Sequence, residues 1–172
     1  MSRRERTRVR EREAETIAGN SYELIIKDRE QFMHRQDTGP IVIAKEDRQI
    51  QVNRQGTLRY YLAPLSYPDT PLQDWLVFEN HVRTHSGKHR HQGGLVIYVI
   101  EGEGYSIVDG ERVDWKSGDL LLLPIRPGGV EHQHFNTKAG ATCRWIAFCH
   151  LPMMDHLAME MTQIEINPDF QG

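Results

Sequence analysis

The sequence has little of what defines several classes of protein. Its two cysteines among 172 residues are too few for a disulfide framework. Cys143 and Cys149 lie on one predicted strand, about 20 Å apart when extended, so we expect free thiols in a reducing cytoplasm. No apolar run reaches the roughly 20 residues of a membrane helix, and the arginine-containing N-terminus lacks the apolar segment of a secretory signal.

An excess of charge of one sign is also missing. The 21 lysines and arginines nearly balance the 24 acidic residues, for a formal net charge of −3. Neither a nucleic acid nor a membrane is therefore expected as a partner, and no helix-turn-helix pattern is visible. The arginines of residues 1–15 are interleaved with glutamates, which indicates a solvated arm. The length predicts one domain with extensions.

The order of local patterns predicts a helix followed by many short strands. Apolar residues recur at helical spacing from Tyr22 to Arg35, after a candidate cap at Asn20 or Ser21. Beyond Pro40, β-rich runs alternate with glycine and proline turns, which predicts an all-β sandwich or barrel. The strands are predicted at 41–44, 58–62, 75–82, 95–101, 105–108, 111–115, 120–123, 130–136 and 142–150. We expect the 120–123 strand to be buried on both faces.

These elements predict three parts of the chain. Residues 1–39 form an N-terminal arm and helix, residues 40–151 form the β-barrel, and residues 152–172 form a tail. The tail is predicted to contain a short helix and an extended end, with its methionines used for packing.

Six of the nine histidines are concentrated in two places, residues 81–91 and 132–134. His89 and His91 are two residues apart, so on a strand both imidazoles point to one face and offer a metal two nitrogen ligands. His132 and His134 repeat this spacing about forty residues later, again after a turn-rich segment.

The motifs around these histidines resemble those of the cupin superfamily. His89, His91 and Gly102 match the first cupin motif, and the second is matched, with three extra residues in its loop, by Gly118, Pro127, Gly129, His132 and Asn136. The resemblance implies an all-β double-stranded β-barrel, or jelly roll, with an N-terminal helical extension. It also implies a metal bound by His89, His91 and His132.

One position departs from the family pattern. The usual fourth ligand, a glutamate, is Leu95 here, and we see no carboxylate to fill the same strand position. The site therefore resembles the three-histidine variants, such as gentisate-type and cysteine dioxygenases. Three neutral ligands leave the full +2 charge on the metal, which favours an anionic chelating substrate. Imidazole suits several metals, and the resemblance favours Fe(II), with Zn, Mn, Ni and Cu as alternatives.

These features lead to a hypothesis of function. The resemblance implies an Fe(II) dioxygenase that uses O₂ and a small anionic substrate such as a hydroxylated aromatic acid. His134 should face the interior as an acid or base, a hydrogen-bond donor, an alternative ligand or a structural histidine. Arg126, in the lengthened loop, is the best candidate to clamp a substrate carboxylate. The alternatives are a non-oxidative isomerase, lyase or decarboxylase, and a ligand-binding cupin without turnover.

Self-association is also expected. Cupins commonly pair their barrels, and the aromatic strand 58–62 would otherwise expose apolar area. We therefore predict a homodimer or a higher homo-oligomer.

Overall fold

The computed structural model describes residues 19–92 and 94–172, so the predicted arm at 1–15 lies outside the described residues. Helix α1 spans Ser21–Thr38, and a single 3₁₀ turn spans Lys45–Asp47. The strands and the second helix follow as β1 Ile50–Val52, β2 Thr57–Leu62, β3 Trp75–Val82, β4 Lys88–His91, β5 Leu95–Glu101, β6 Glu103–Val108, β7 Glu111–Lys116, β8 Leu120–Leu123, β9 Val130–Asn136, β10 Cys143–His150, α2 Leu151–His156 and β11 Thr162–Glu165.

Two antiparallel sheets confirm the predicted fold class. The first contains six strands in the order β1-β2-β3-β10-β5-β8, and the second contains five in the order β11-β4-β9-β6-β7. Among the described residues every pairing of named strands is antiparallel. Six of the nine pairs of neighbouring strands are distant in sequence, as in a jelly roll, and one of them places β4 beside β9.

The core lies between the inward faces of the two sheets. On β5 the inward residues Leu95, Ile97 and Val99 are buried, whereas the alternate residues Val96 and Tyr98 are exposed. This alternation is the period-two pattern of a strand with one face covered. Trp115 and Trp145, from opposite sheets, complete the same apolar cluster. Apolar burial of this kind contributes about 25 cal/mol per Å² and holds the sheets together.

The predicted N-terminal helix is confirmed, with Asn20 as its cap. The Asn20 side chain accepts a hydrogen bond from the Tyr22 backbone N–H at 2.9 Å, and the Gly39 N–H donates to the Arg35 carbonyl at the other end. The helix buries none of its residues and is tied to the body of the protein where the Gln36 amide donates to the Pro71 carbonyl. No helix in the described part of the chain is long and apolar enough to cross a membrane.

Two predictions about strands are wrong. Residues 41–44 form no strand, because they pair with no neighbour, and Ile41 and Val42 are 97% and 81% exposed. The strand Leu120–Leu123 is not buried on both faces, since Leu120 and Leu122 are 58% and 62% exposed. It is the last strand of its sheet, and its outer face is uncovered.

The C-terminal tail closes one edge of the second sheet. Strand β11 pairs with β4 and places Gln163 opposite His89. Met154 on α2 is buried in the core, as predicted for packing, whereas Met153 and Met161 are exposed. The predicted free thiols are confirmed, since Cys143 and Cys149 are unpaired and buried on β10.

Candidate metal centre

Three buried histidines meet between the sheets. His89 and His91 lie on β4 and His132 lies on β9, directly opposite His89 in the strand register. One potential ligand atom from each residue lies within 4.8 Å of the others. The structure thus brings together the three residues that the sequence predicted as ligands.

The hydrogen bonding of the His132 ring fits a metal. Nδ1 of His132 lies 3.1 Å from the Val130 carbonyl, so Nδ1 carries the ring hydrogen and Nε2 keeps its lone pair. That Nε2 is buried and finds no hydrogen-bond partner among the described residues. A buried polar atom without a partner costs about 1–3 kcal/mol, unless a ligand satisfies it. A divalent transition metal accepts such a lone pair, so the residues fit the metal that the motifs imply.

The electrostatics of the cluster keep the imidazoles neutral. Burial, together with the charge that His91 would carry, lowers the pKa of His89 to about 4. Burial also lowers the pKa of His91, and it holds the pKa of His132 well below its usual range, assisted by repulsion from the neighbouring histidines. Neutral imidazole is the form that binds metal, so no proton has to be displaced near pH 7.

His134 lies behind the three histidines with its hydrogen position fixed. The Trp115 indole N–H donates to the Ser106 hydroxyl oxygen at 2.9 Å, and that hydroxyl lies 2.7 Å from Nδ1 of His134. Among the described residues this hydroxyl has no other acceptor for its hydrogen, so the hydrogen points to Nδ1 and the His134 ring hydrogen resides on Nε2. Burial lowers the pKa of His134 to about 3, so the ring is a neutral N–H donor and not an acid.

Two further polar side chains face the same interior. The Trp145 ring lies 4.8 Å from the His134 ring, and Asn80 lies opposite Trp145 in the register of β3 and β10. Nε2 of His134, Nε1 of Trp145 and both amide atoms of Asn80 are buried, with no hydrogen-bond partner in the described chain. Asn80 was not predicted as a site residue, although it is a lone amide on the inward side of the largely apolar strand β3.

Leu95 occupies the position of the missing carboxylate. It is 4% exposed, belongs to the apolar core and lies opposite Leu123 and Cys149. The histidine cluster found among the described residues contains no aspartate or glutamate. The ligands that this part of the protein offers to a metal are therefore neutral.

The other candidate residue, Arg126, forms an ion pair at the surface. Its Nη1 lies 2.6 Å from a carboxylate oxygen of Asp109, whose other oxygen accepts the Glu131 backbone N–H at 2.8 Å. The Arg126 side chain is 55% exposed, at the approach to β9. The structure thus places Arg126 at the surface in an ion pair, and its role toward a substrate stays a prediction.

The charged residues around Glu79 on β3 form a separate cluster. The Glu79 carboxylate contacts Arg59, His81 and Arg144, and it accepts a hydrogen bond from Tyr61. Burial by itself would raise the pKa of Glu79, but the hydrogen bonds and charges of His81 and Arg144 lower it to about 2. His81 and Arg144 therefore serve this ion cluster.

Comparison with known proteins agrees with this fold. Residues 77–149 match the family described as "Cupin domain". Among curated proteins, the chain is similar to a gentisate 1,2-dioxygenase of Ralstonia sp., with 34% identity over 70 residues, and to one of Streptomyces sp., with 34% identity over 82 residues. These matches cover 40% and 47% of this chain but only 19% and 21% of the relatives' own lengths.

Solved structures share the fold at low sequence identity. The polyketide cyclase RemF from Streptomyces resistomycificus superposes with a TM-score of 0.55 and 18% identity, over 76% of this chain and 89% of RemF. A variant salicylate 1,2-dioxygenase from Pseudoaminobacter salicylatoxidans, in complex with gentisate, gives a TM-score of 0.53 and 18% identity, over 88% of this chain and 38% of the enzyme. At this identity the likeness concerns the fold alone.

Proposed function

We propose that this chain, whose residues 77–149 match the cupin domain family and which holds a cluster of three histidines, is a non-haem Fe(II)-dependent dioxygenase. The substrate is a small anionic chelating molecule such as a hydroxylated aromatic acid. The observation that carries the proposal is the cluster of three buried, neutral imidazoles without a carboxylate, at His89, His91 and His132.

The charge of the site supports an anionic substrate. Three neutral ligands leave the full charge of a divalent metal uncompensated in a buried place, where charge interactions are strong. An anion that chelates the metal supplies the missing negative charge. When bound, Fe(II) supplies the one-electron chemistry that O₂ requires, and Zn, Mn, Ni and Cu are the alternatives. The names of the curated relatives support the choice of a dioxygenase.

The unpartnered groups behind the metal centre support a substrate rich in oxygen. In this proposal the N–H groups of His134 and Trp145 and the amide of Asn80 bind substrate oxygens, which satisfies their hydrogen bonds. Leu95 offers an apolar surface to a carbon skeleton. Arg126 is the proposed partner of a substrate carboxylate at the entrance, where it would exchange the Asp109 carboxylate for that of the substrate.

Oxygen uptake by metal-loaded protein tests this function. Protein prepared without metal is loaded anaerobically with Fe(II) or Zn(II) and offered gentisate, salicylate, catechols and thiols. We expect oxygen consumption with a hydroxylated aromatic acid, only in the Fe(II) form, and no consumption by a His91→Ala variant. Substrate conversion by the Zn(II) form without oxygen uptake would instead establish a non-oxidative enzyme, and tight binding without conversion would establish a binding protein.

Self-association also remains a proposal, on a surface different from the one expected. Strand β2 is buried or half-buried along its length, so it does not expose the apolar area that motivated the prediction. The outer face of β5 and β8 does, through Val96, Tyr98, Leu120 and Leu122. We propose that this face covers its counterpart in a second copy, and light scattering on the wild type and on Leu122→Ser measures the association.

A further inference from the structure

One side chain from outside the two histidine motifs reaches the metal centre. Nε2 of Gln55 lies 3.5 Å from Nε2 of His89, and the Gln55 side chain is half-buried. Gln55 belongs to residues 53–56, the turn that joins β1 to β2. That turn comes from the six-stranded sheet, whereas His89 lies on the other sheet.

Hydrogen bonds fix the conformation and position of the turn. The Asn53 side-chain oxygen accepts the backbone N–H groups of Gln55 and Gly56 at 2.9 and 3.2 Å, and the Asn53 N–H donates to the Gly56 carbonyl. The Gly87 N–H donates to the Gln55 carbonyl at 2.8 Å, which ties the turn to the segment that leads into His89. Gln55 is therefore held next to His89 by the backbone on both sides.

Two glycines allow this close approach. A Cβ atom at Gly87 would lie 2.2 Å from the Arg54 carbonyl oxygen, so any other residue would push the turn away from β4. A Cβ atom at Gly56 would lie 2.7 Å from both polar atoms of the Asn80 amide. The turn can approach the Gly87 segment and Asn80 this closely only because neither glycine position carries a side chain.

We propose that Gln55 supplies the neutral oxygen ligand that Leu95 cannot, by turning its side-chain amide oxygen toward a divalent metal bound at His89, His91 and His132. This inference rests on the metal binding of the proposed function and adds a fourth protein ligand to it. Two ligand atoms about 2.1 Å from one metal ion lie about 3.0–3.4 Å apart, depending on whether six or four ligands surround the ion. The 3.5 Å separation of the Gln55 amide and His89 matches that spacing.

The amide group is suited to both states of the site. Its oxygen and nitrogen exchange places by a 180° rotation of the terminal group. Without metal, an N–H of Gln55 faces the lone pair of His89 at the long end of hydrogen-bond distance. Once that lone pair binds a metal it can no longer accept a hydrogen bond, so the amide presents its oxygen instead. Because the oxygen is neutral, the site keeps the positive charge that favours an anionic substrate.

Metal binding by Gln55 variants tests the inference without reference to activity. The dissociation constant for Zn(II) is measured by chelator competition, and the coordination is followed by the visible absorption of Co(II)-loaded protein. We expect Gln55→Ala to bind Zn(II) ~10–100-fold more weakly, the range found when a supporting polar group is lost, and to change the Co(II) spectrum. Gln55→Glu should bind more tightly, because it adds a charged ligand. The matched control is Gln51→Ala, on the exposed strand β1 of the same hairpin.

The outcomes separate this inference from the proposed function. An unchanged affinity and an unchanged Co(II) spectrum in Gln55→Ala, while His91→Ala loses the metal, would overturn the role of Gln55 alone. A wild-type protein that binds neither metal would overturn both proposals. Thermal unfolding of each metal-free variant verifies the fold, and Gln55→Glu, which keeps the side-chain length, decides the question if Gln55→Ala disturbs the turn.

Discussion

Glu79 and His132 are equally buried, at 1% exposure each, but they differ in how many hydrogen-bond and ion-pair partners their polar atoms have. Glu79 has contacts from four side chains around its carboxylate. His132 has one hydrogen bond from Nδ1, to its own strand, and none in the described chain from Nε2. The fold therefore gives the Glu79 carboxylate partners from within the protein. It leaves Nε2 of His132 available to a ligand that the described residues do not supply.

This difference separates two kinds of buried polar group. The Glu79 cluster ties strands β2, β3, β10 and β5 together, so its removal should weaken the fold. The histidine cluster contributes unsatisfied atoms to the interior, so its removal should abolish binding and leave the fold intact or more stable. The same contrast holds for the neighbouring atoms of His134, Trp145 and Asn80, which also lack partners in the part of the chain that the structure describes.

The largest expected effect comes from making the histidine cluster apolar. His132→Leu removes one of three ligands and should weaken binding of a divalent metal by at least ~100-fold. The metal-free variant should unfold at a temperature equal to or above that of the wild type, because a buried nitrogen without a partner is gone. Metal content after dialysis and calorimetry of the metal-free protein measure the two effects.

The control for this variant is His156→Ala, which changes an exposed histidine on α2. It should retain both the metal and the unfolding temperature. A His132→Leu protein that unfolds several degrees below the wild type, before any metal is added, would show that the histidine cluster is structural.

A second prediction adds a charge where the site is apolar. Leu95→Glu places a carboxylate in the core, and a buried carboxylate without a partner should destabilise the metal-free protein by about 3 kcal/mol. Added metal should restore part of this loss, because the carboxylate becomes a ligand. The same charge should weaken the binding of an anionic substrate.

Unfolding temperatures with and without Zn(II) measure the first part of this prediction, since the gain on adding metal should be larger in Leu95→Glu than in the wild type. The control is Leu95→Gln, which has nearly the same shape without the charge. An equal gain in all three proteins would contradict the expectation that residue 95 faces the metal.

The third prediction concerns the satisfied cluster. The folded-state pKa of Glu79 is lowered from 4.5 to about 2, so its contribution is complete above pH 4.5 and is lost as the pH falls toward 2. That difference corresponds to about 3 kcal/mol of stability at neutral pH. Glu79→Gln should therefore be less stable than the wild type by about 2–3 kcal/mol at pH 7, and the difference should shrink in acid.

Urea unfolding of both proteins at pH 7 and at pH 3 provides the test. Metal affinity should not change in Glu79→Gln, because the Glu79 cluster is separate from the three histidines of the metal centre. A constant difference between the two proteins across this pH range would show that Glu79 stabilises the fold by packing and not by its charge.

Much of this fold was predictable from local pattern. The bounds of β3, β5, β8 and β9 agree with the predicted strands, because each is an apolar or alternating run between turn formers. The three clustered histidines were also found, since spacing by two on a strand places side chains on one face. These features depend on neighbours in sequence, which a single chain displays directly.

The missed features depend on contacts between distant parts of the chain. Strand β11 exists because it pairs with β4, and β1 is a three-residue strand that pairs only with β2 among the described residues. Gln55 sits in a turn with no periodic signal, and it reaches His89 only after the two sheets have packed. The exposure of Leu122 follows from its place on the last strand of a sheet, which four consecutive leucines do not reveal.

The smallest expected effect concerns His134, whose ring has a hydrogen-bond partner at Nδ1 and none among the described residues at Nε2. Ser106→Ala removes the hydroxyl that accepts from Trp115 and directs the hydrogen of His134 to Nε2. Trp115 then loses its acceptor, and the metal-free protein should be destabilised by about 1 kcal/mol. The His134 hydrogen should redistribute between the two ring nitrogens, which ¹⁵N chemical shifts of the imidazole report. Metal affinity should stay the same, but substrate binding should weaken, because a donor aimed into the interior is no longer fixed.

The control is Ser117→Ala, which removes an exposed hydroxyl bonded to the Ile100 carbonyl and should leave the His134 shifts unchanged. A Ser106→Ala protein with wild-type imidazole shifts would mean that His134 keeps its hydrogen on Nε2 without help, and that Ser106 serves only Trp115.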